Sequence, residues 1–262
     1  MGGADDSIPG MTKRAVFLAS AATILGTAWL VAQQPAAPLS IHDEFRLVEV
    51  ASVSDAMEQL YGQRAYMSHE MRPLAPVKFA GPAVTVLLKR EEHKEGAAAS
   101  QGMLDAIDAS PAGSVYVMVL ERGTGAAGWS DEGADFAGIG GLMATAMKYR
   151  GFAGAVIDAS VRDTPQIRRL QFPVFSRGVA PSTTINHYRV VGVNVPVTCA
   201  GVRVSPGDIV TADEDGVAVV PQAKAADVLK KSQELDDTEH RMLPFIEKFR
   251  SIREAVKQFG RI

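Results

Sequence analysis

The 262-residue chain carries one cysteine, Cys199. A single thiol excludes an intramolecular disulfide, a cysteine-rich zinc site and a Cys-x-x-Cys redox pair. No histidine neighbours it in sequence, so it reads as a packed thiol and not as a nucleophile. Histidine is sparse too. His42, His69, His93, His187 and His240 are scattered, with no His-x-His or His-x-x-x-His pair, which argues against a histidine metal cage. Positive charge is not in excess. Lys and Arg number 27 against 30 Asp and Glu, a formal charge of −3. No basic field exists to hold a polyanion, so a nucleic-acid partner is not expected. Walker A sequences and internal repeats are absent as well.

What is present is a globular composition, 47% hydrophobic and 22% charged. At roughly 100–200 residues per domain, this is one domain with appendages. A core of that size needs no disulfide or metal staple. The one long apolar run is N-terminal. Lys13-Arg14 precede an uncharged stretch, Ala15 to Ala32, and a polar, Pro-rich spacer to Pro38 follows. That order reads as a secretory signal peptide, or as an uncleaved anchor just long enough to span a bilayer. Leu30 is large for a cleavage-site position, and Met11 is a more natural start than Met1. Residues 1–38 are therefore expected to be leader or anchor plus linker, and 39–262 the folded domain. The protein is expected to be exported (periplasmic or secreted) or membrane-anchored, and cytoplasmic if that segment is not used.

From about Ile41, helix and strand signals alternate. Ser52-Val53-Ser54-Asp55 has capping-box spacing and predicts a short helix to Tyr61, ended by Gly62. Strands are expected over 79–89, 115–120 and 154–158, and helices over 95–109, 142–149 and 165–170. Short β runs broken by Gly and Pro fill 174–220. A charged amphipathic helical segment runs from about 222 to 259, broken or kinked at Pro244. The pattern is that of mixed α/β layers.

Gly123-Thr124-Gly125-Ala126-Ala127-Gly128 matches G-x-G-x-x-G, but no helix opens at its last glycine, so a loop is the better reading. The informative region is 138–169. Gly140-Gly141-Leu142-Met143 opens a helix, whose first N–H groups form a ready anion site. About twenty residues later a buried strand ends in Asp158-Ala159-Ser160-Val161-Arg162-Asp163. An Arg there can bind a carboxylate bidentately, and an Asp can bind a hard divalent cation. Together these parts suit a 2-oxo acid. A structural reading stands beside this one. In it Thr164-Pro165 is an N-cap and N1 pair, Asp163 merely favours the helix dipole, and Arg162 pairs with Asp158 or with a C-terminal carboxylate.

A set of ordered blocks carries a resemblance. Gly140 to Ala146, Arg150 to Asp158 and Val161-Arg162-Asp163 resemble RraA-like proteins and 4-hydroxy-4-methyl-2-oxoglutarate (HMG) aldolases. Gly81 to Val86, Pro173 to Gly178, Gly201 to Asp208 and Asp213 to Pro221 agree in the same order. The resemblance covers roughly residues 45–225. It implies an α/β fold of the RraA-like swivelling β/β/α type with a C-terminal helical segment, assembled as a homotrimer or hexamer. It also implies a class II-type, divalent-metal (Mg²⁺ or Mn²⁺) pyruvate aldolase and oxaloacetate decarboxylase, a carbon–carbon lyase. Such an enzyme acts on 2-oxo acids such as 4-hydroxy-4-methyl-2-oxoglutarate through a metal-stabilised pyruvate enolate. On that basis Gly140, Gly141, Leu142 and Met143 bind substrate through backbone N–H groups. Arg162 binds the 2-oxo acid and is catalytic with Asp163, and Asp163 holds the metal.

Two departures stand out. Aldolases of this kind usually carry an acid where this chain has Gly141, and many carry one where it has Gln166. Losing carboxylates lowers affinity for a hard cation. Asp131, Glu132 or Asp135 are candidates to compensate, and Glu234 or Glu239 to complete a neighbouring site. The alternative reading is a non-catalytic RraA-like regulator, or a small-anion-binding homologue without a full metal site.

Overall fold

In a computed structural model of the chain, the described residues are 39–121 and 135–260. The apolar segment 15–32, the glycine motif at 123–128, Asp131 and Glu132 lie outside them.

Valine- and glycine-rich runs build the sheet. Strands β1 (Arg72–Pro73), β2 (Phe79–Arg90), β3 (Val115–Leu120), β4 (Ala137–Ile139), β5 (Gly154–Val161) and β6 (Val174–Val179) come first. After them come β7 (Tyr188–Val193), β8 (Val197–Cys199), β9 (Val202–Val204), β10 (Ile209–Asp213) and β11 (Gly216–Val220). Nine of these eleven join one mixed sheet ordered β1-β6-β5-β3-β2-β10-β11, with β4 on β5 and β7 on β2. The β2-β3-β5-β6 centre is parallel, and β10, β11 and β7 pair antiparallel. The architecture is a mixed α/β fold with a nearly closed, barrel-like sheet and a C-terminal helix.

Both faces of the parallel centre are buried, which is why β3 is a continuous apolar run rather than an alternation. Tyr116, Met118 and Leu120 face one core with Ile157 and Ala159. Helices α3 (Gln101–Ala109), α4 (Gly141–Tyr149) and α5 (Thr164–Leu170) cover that face through Met103, Ile107, Ala144, Met147 and Ile167. Val115, Val117 and Val119 face the other core, closed by the β8–β9 hairpin through Val197, Cys199 and Val204. A third cluster joins α1 (Ile41–Phe45), α2 (Val50–Tyr61) and the long α6 (Ala225–Phe249) to β10 and β11.

Several boundaries depart from the expected ones, each for a physical reason. α2 begins at Val50, ahead of the Ser52 capping spacing. Its first N–H groups are held by carboxylates from distant segments instead. Val50 N donates to Asp213 Oδ2 at 2.9 Å and Glu49 N to Asp236 Oδ2 at 3.0 Å. Pro244 neither ends nor interrupts α6. The break comes at Arg250, in the left-handed conformation at φ 51°, before α7 (Ile252–Phe259). Strand β5 continues past Asp158 to Val161. Among the described residues no helix is long and apolar enough to cross a membrane.

Candidate active site

Strand pairing assembles the site. β4 runs parallel to β5, with Ile139 opposite Val161, and Arg162 N donates to Ile139 O at 3.1 Å. Both strands end at the same edge of the sheet. Gly140 and α4 follow one of them, and Arg162-Asp163 and α5 follow the other. Two residues separated by 22 positions are thus brought together: Gly141 N donates to Asp163 Oδ2 at 2.9 Å.

Asp163 is able to do this because its backbone is left-handed, φ 57° and ψ 34°. Asp tolerates that region better than most residues. It is the N-cap residue of α5, yet its side chain caps α4 and not its own helix. Its carbonyl accepts from Gln166 N and Ile167 N. Thr164 is therefore the first residue of α5 and Pro165 the second, one position later than the expected N-cap and N1 pair.

Arg162 stands beside this carboxylate, with Nε 3.9 Å from Asp163 Oδ2, and its Nη1 donates to the Ser182 carbonyl at 3.4 Å. It does not pair with Asp158. Asp158 lies on the other core face, bonded to Arg177 Nε and accepting from Ala200 N at 2.7 Å. Arg177 reaches on to Glu70. Burial works against the Arg177 charge, but the two carboxylates more than offset it and raise its pKa. Beside them Cys199 is fully buried, and burial, reinforced by the Asp158 charge, pushes its thiol pKa well up. A thiol so protected stays protonated, as a packed cysteine should.

The N–H groups of Leu142 and Met143 have no intrahelical acceptor, being in the first turn of α4. Neither has another acceptor among the described residues. They point out of the helix N-terminus, where the macrodipole favours negative charge. The geometry thus joins all of the sequence-predicted residues Gly140, Gly141, Leu142, Met143, Arg162 and Asp163 at one edge of the sheet. Of the compensating acids, Asp135 is exposed and its backbone carbonyl takes the Ser182 hydroxyl. Glu234 and Glu239 sit on α6, which packs with α1, α2 and α7. Sequence reasoning missed Ser182, whose hydroxyl also accepts from Ala137 N at 3.3 Å and so ties β4 to the loop that holds Arg162. A Pro-Ser-Thr-Thr loop carries no signal for that role.

The sequence profile of the RraA-like family, described as Aldolase/RraA, matches residues 50–219. This chain belongs to the RraA-like family. The match contains every residue of the site. A relative from Halalkalibacterium halodurans, provisionally named a 4-hydroxy-4-methyl-2-oxoglutarate aldolase, is 30% identical over 195 residues, 72% of this chain and 80% of its own length. Among solved structures, an uncharacterized protein from Pseudomonas syringae is 27% identical with a TM-score of 0.69. The match covers 84% of this chain and 98% of that one. Streptomyces coelicolor RraAS2, described as an unusual member of the RNase ES inhibitor RraA family, is 25% identical with a TM-score of 0.64, over 79% and 98% of the two chains.

RraA-like aldolases raise the question of a divalent cation. Among the described residues no group of three or more His, Cys, Asp or Glu side chains is placed to hold a metal. The donor chemistry nonetheless suits a hard ion that keeps most of its water. Mg²⁺ is commonly held by one or two carboxylates plus oxygens of the substrate. Asp163 supplies one carboxylate. The missing Cβ of Gly140, which would fall 2.7 Å from Asp163 Oδ2, leaves the space that this carboxylate fills.

Proposed function

We propose that this RraA-like protein is a divalent-metal-dependent lyase that cleaves 2-oxo acids to pyruvate. Its substrates would be 4-hydroxy-4-methyl-2-oxoglutarate and, by decarboxylation, oxaloacetate. The observation that carries the reading is the meeting of Arg162, Asp163 and the α4 N-terminus at one sheet edge. The H. halodurans relative's name supports it.

Both reactions break the C3–C4 bond of a 2-oxo acid. The bonding electrons move into C3 and onto the C2 oxygen as an enolate. In the retro-aldol case the C4 hydroxyl loses its proton and becomes a carbonyl; in the other case C4 leaves as carbon dioxide. Protonation at C3 completes pyruvate. Mg²⁺ or Mn²⁺, when bound, supplies Lewis-acid stabilisation of that enolate. Asp163 is the residue that would hold the ion. Arg162 sets its guanidinium where a 2-oxo acid carboxylate can accept two hydrogen bonds. The Leu142 and Met143 N–H groups are fixed dipoles facing developing negative charge, already oriented by the helix. Ser182 keeps Arg162 turned toward Asp163. Assembly as a homotrimer or hexamer and export through residues 15–32 belong to the same proposal.

One observation favours a second reading, an anion-binding or regulatory homologue: neither Gly141 nor Gln166 brings a carboxylate to the site. Pyruvate release separates the two. With Mg²⁺ or Mn²⁺ and either substrate, the lyase releases pyruvate, and chelator or the Arg162→Ala/Asp163→Ala pair abolishes the release. Release no faster than metal alone would sink the lyase reading for these substrates.

A further inference from the structure

Gly140 and Gly141 do not owe their identity to backbone conformation. Gly140 has φ −136° and ψ −170°, extended backbone that any residue adopts, and Gly141 is the first residue of α4. They supply space. An added Cβ on Gly140 would fall 2.7 Å from Asp163 Oδ2 and 3.1 Å from Arg162 Nε. One on Gly141 would fall 2.6 Å from Gln166 Cδ, 3.0 Å from its Nε2 and closer still to its Oε1. Real Cβ atoms essentially never come within 3.0 Å of another heavy atom, so with either Cβ in place the Asp163 or Gln166 side chain would have to shift. The volume next to the second glycine is therefore filled by the Gln166 carboxamide, as the volume next to the first is filled by Asp163.

Hydrogen bonding fixes which way that carboxamide faces. Thr145 Oγ1 donates to Gly141 O at 2.6 Å, which uses its single proton. Toward Gln166, at 3.1 Å, the hydroxyl can then only accept. The amide nitrogen must lie on the Thr145 side, and the amide oxygen is turned toward the glycine turn. Among the described residues that oxygen has no protein donor. Asp163 Oδ2 and Gln166 Oε1 thus border two successive Cα atoms, about 3.8 Å apart across a trans peptide. One oxygen is charged and the other is a neutral acceptor with its lone pairs uncommitted. A hard cation that retains its water presents a shell of O–H donors, and these need acceptors beside the carboxylate.

We infer that Gln166 is a positioning residue of this site: its carboxamide oxygen accepts hydrogen bonds from the water shell of a divalent cation held at Asp163. The inference rests on the metal-dependent reading above. In it Gln166 touches neither substrate nor ion, and Thr145 keeps its amide from rotating. Gly141 is the residue that leaves it room.

Mn²⁺ titration of the full chain, followed by the loss of the free-ion EPR signal and by water-proton relaxation, tests this without turnover. Gln166→Leu keeps the volume and removes the oxygen. Gly141→Ala keeps Gln166 but displaces it. Each is expected to weaken Mn²⁺ binding about tenfold, the lower end of what losing such a partner costs. The double variant should be no weaker than either alone, since both remove one interaction. Gln166→Glu should bind at least as tightly as the parent chain. Relaxation should change in the first two variants, whereas a merely structural glutamine would move only the melting temperature. Asp163→Asn is the control. If it abolishes binding while Gln166→Leu binds like the parent, the role of Gln166 is wrong and the lyase reading survives. If Asp163→Asn also binds like the parent, the metal site itself is wrong and both fall.

Discussion

Strand β5 and the turn that follows it carry two aspartates five positions apart, Asp158 and Asp163, each beside an arginine, and the two pairs could hardly differ more. Asp158 and Arg177 are buried within the sheet, their side chains 7% and 8% exposed, and each is saturated by further partners. Arg162 and Asp163 sit at the strand end, 40% and 50% exposed and 3.9 Å apart. The inner pair has its hydrogen bonds closed by Ala200 N and Glu70. The outer pair leaves an arginine fork and a carboxylate oxygen open toward solvent. The same residue types are thus closed into the sheet in one place and left open to solvent in the other.

Four experiments would break or sharpen that contrast. The largest effect is expected at the outer pair. Arg162→Ala should lower pyruvate release by roughly 10²–10³-fold, the scale for removing a preorganised charge stabiliser, with the chemical-denaturation midpoint nearly unchanged. At the inner pair the pattern should reverse. Asp158→Ala leaves the Arg177 charge buried beside an empty partner site, and should cost about 3–5 kcal/mol of stability in urea unfolding. Release per folded molecule should be retained. A loss of stability at Arg162 equal to that at Asp158 would remove the distinction.

A smaller effect concerns Asp213, which holds the start of α2. Burial raises its pKa above the ordinary 3.8, against the hydrogen bonds from Val50 and Asp215. A carboxyl raised on folding binds its proton more tightly in the native state. Its contribution is therefore greatest below the unfolded value and is lost as pH rises through the folded one. Urea midpoints should fall over that window in the parent chain and fall less in Asp213→Asn, which can still accept from Val50. The smallest effect is expected at Glu70, the outer partner of Arg177, 57% exposed. Glu70→Gln should change stability by no more than about 1 kcal/mol, because solvent screens an exposed ion pair.

Much of this was legible in the residues. Val115–Leu120 declares itself because a strand buried on both faces needs no polar alternation. The site turn was legible too, since Gly140-Gly141 and Arg162-Asp163 each follow an apolar run. What escaped was carried by distant partners. α2 starts before its capping spacing because Asp213 and Asp236, 163 and 187 residues away, take its first N–H groups. β5 outruns its apolar stretch because Asp158 is neutralised by Arg177 from the next strand. No local pattern announces either. Gln166 was visible only as a missing acid; that its amide occupies the space beside Gly141 depends on the crossing of α4 and α5.

Strand β2 has a consequence of another kind. One edge pairs with β3, while the other is shared between β10 at Phe79–Pro82 and β7 at Val86–Arg90. That second edge stays open until residues about a hundred positions or more downstream have been synthesised. Twelve residues of mostly apolar strand must wait, on a ribosome adding roughly 5–20 residues per second, for several seconds or more. Contacts so far apart in sequence also slow folding once the chain is complete. The birth of this protein, rather than its finished state, is when it is most exposed to mispairing with its neighbours, and Lys89 and Arg90 at the strand's end stand where charge would discourage such mispairing.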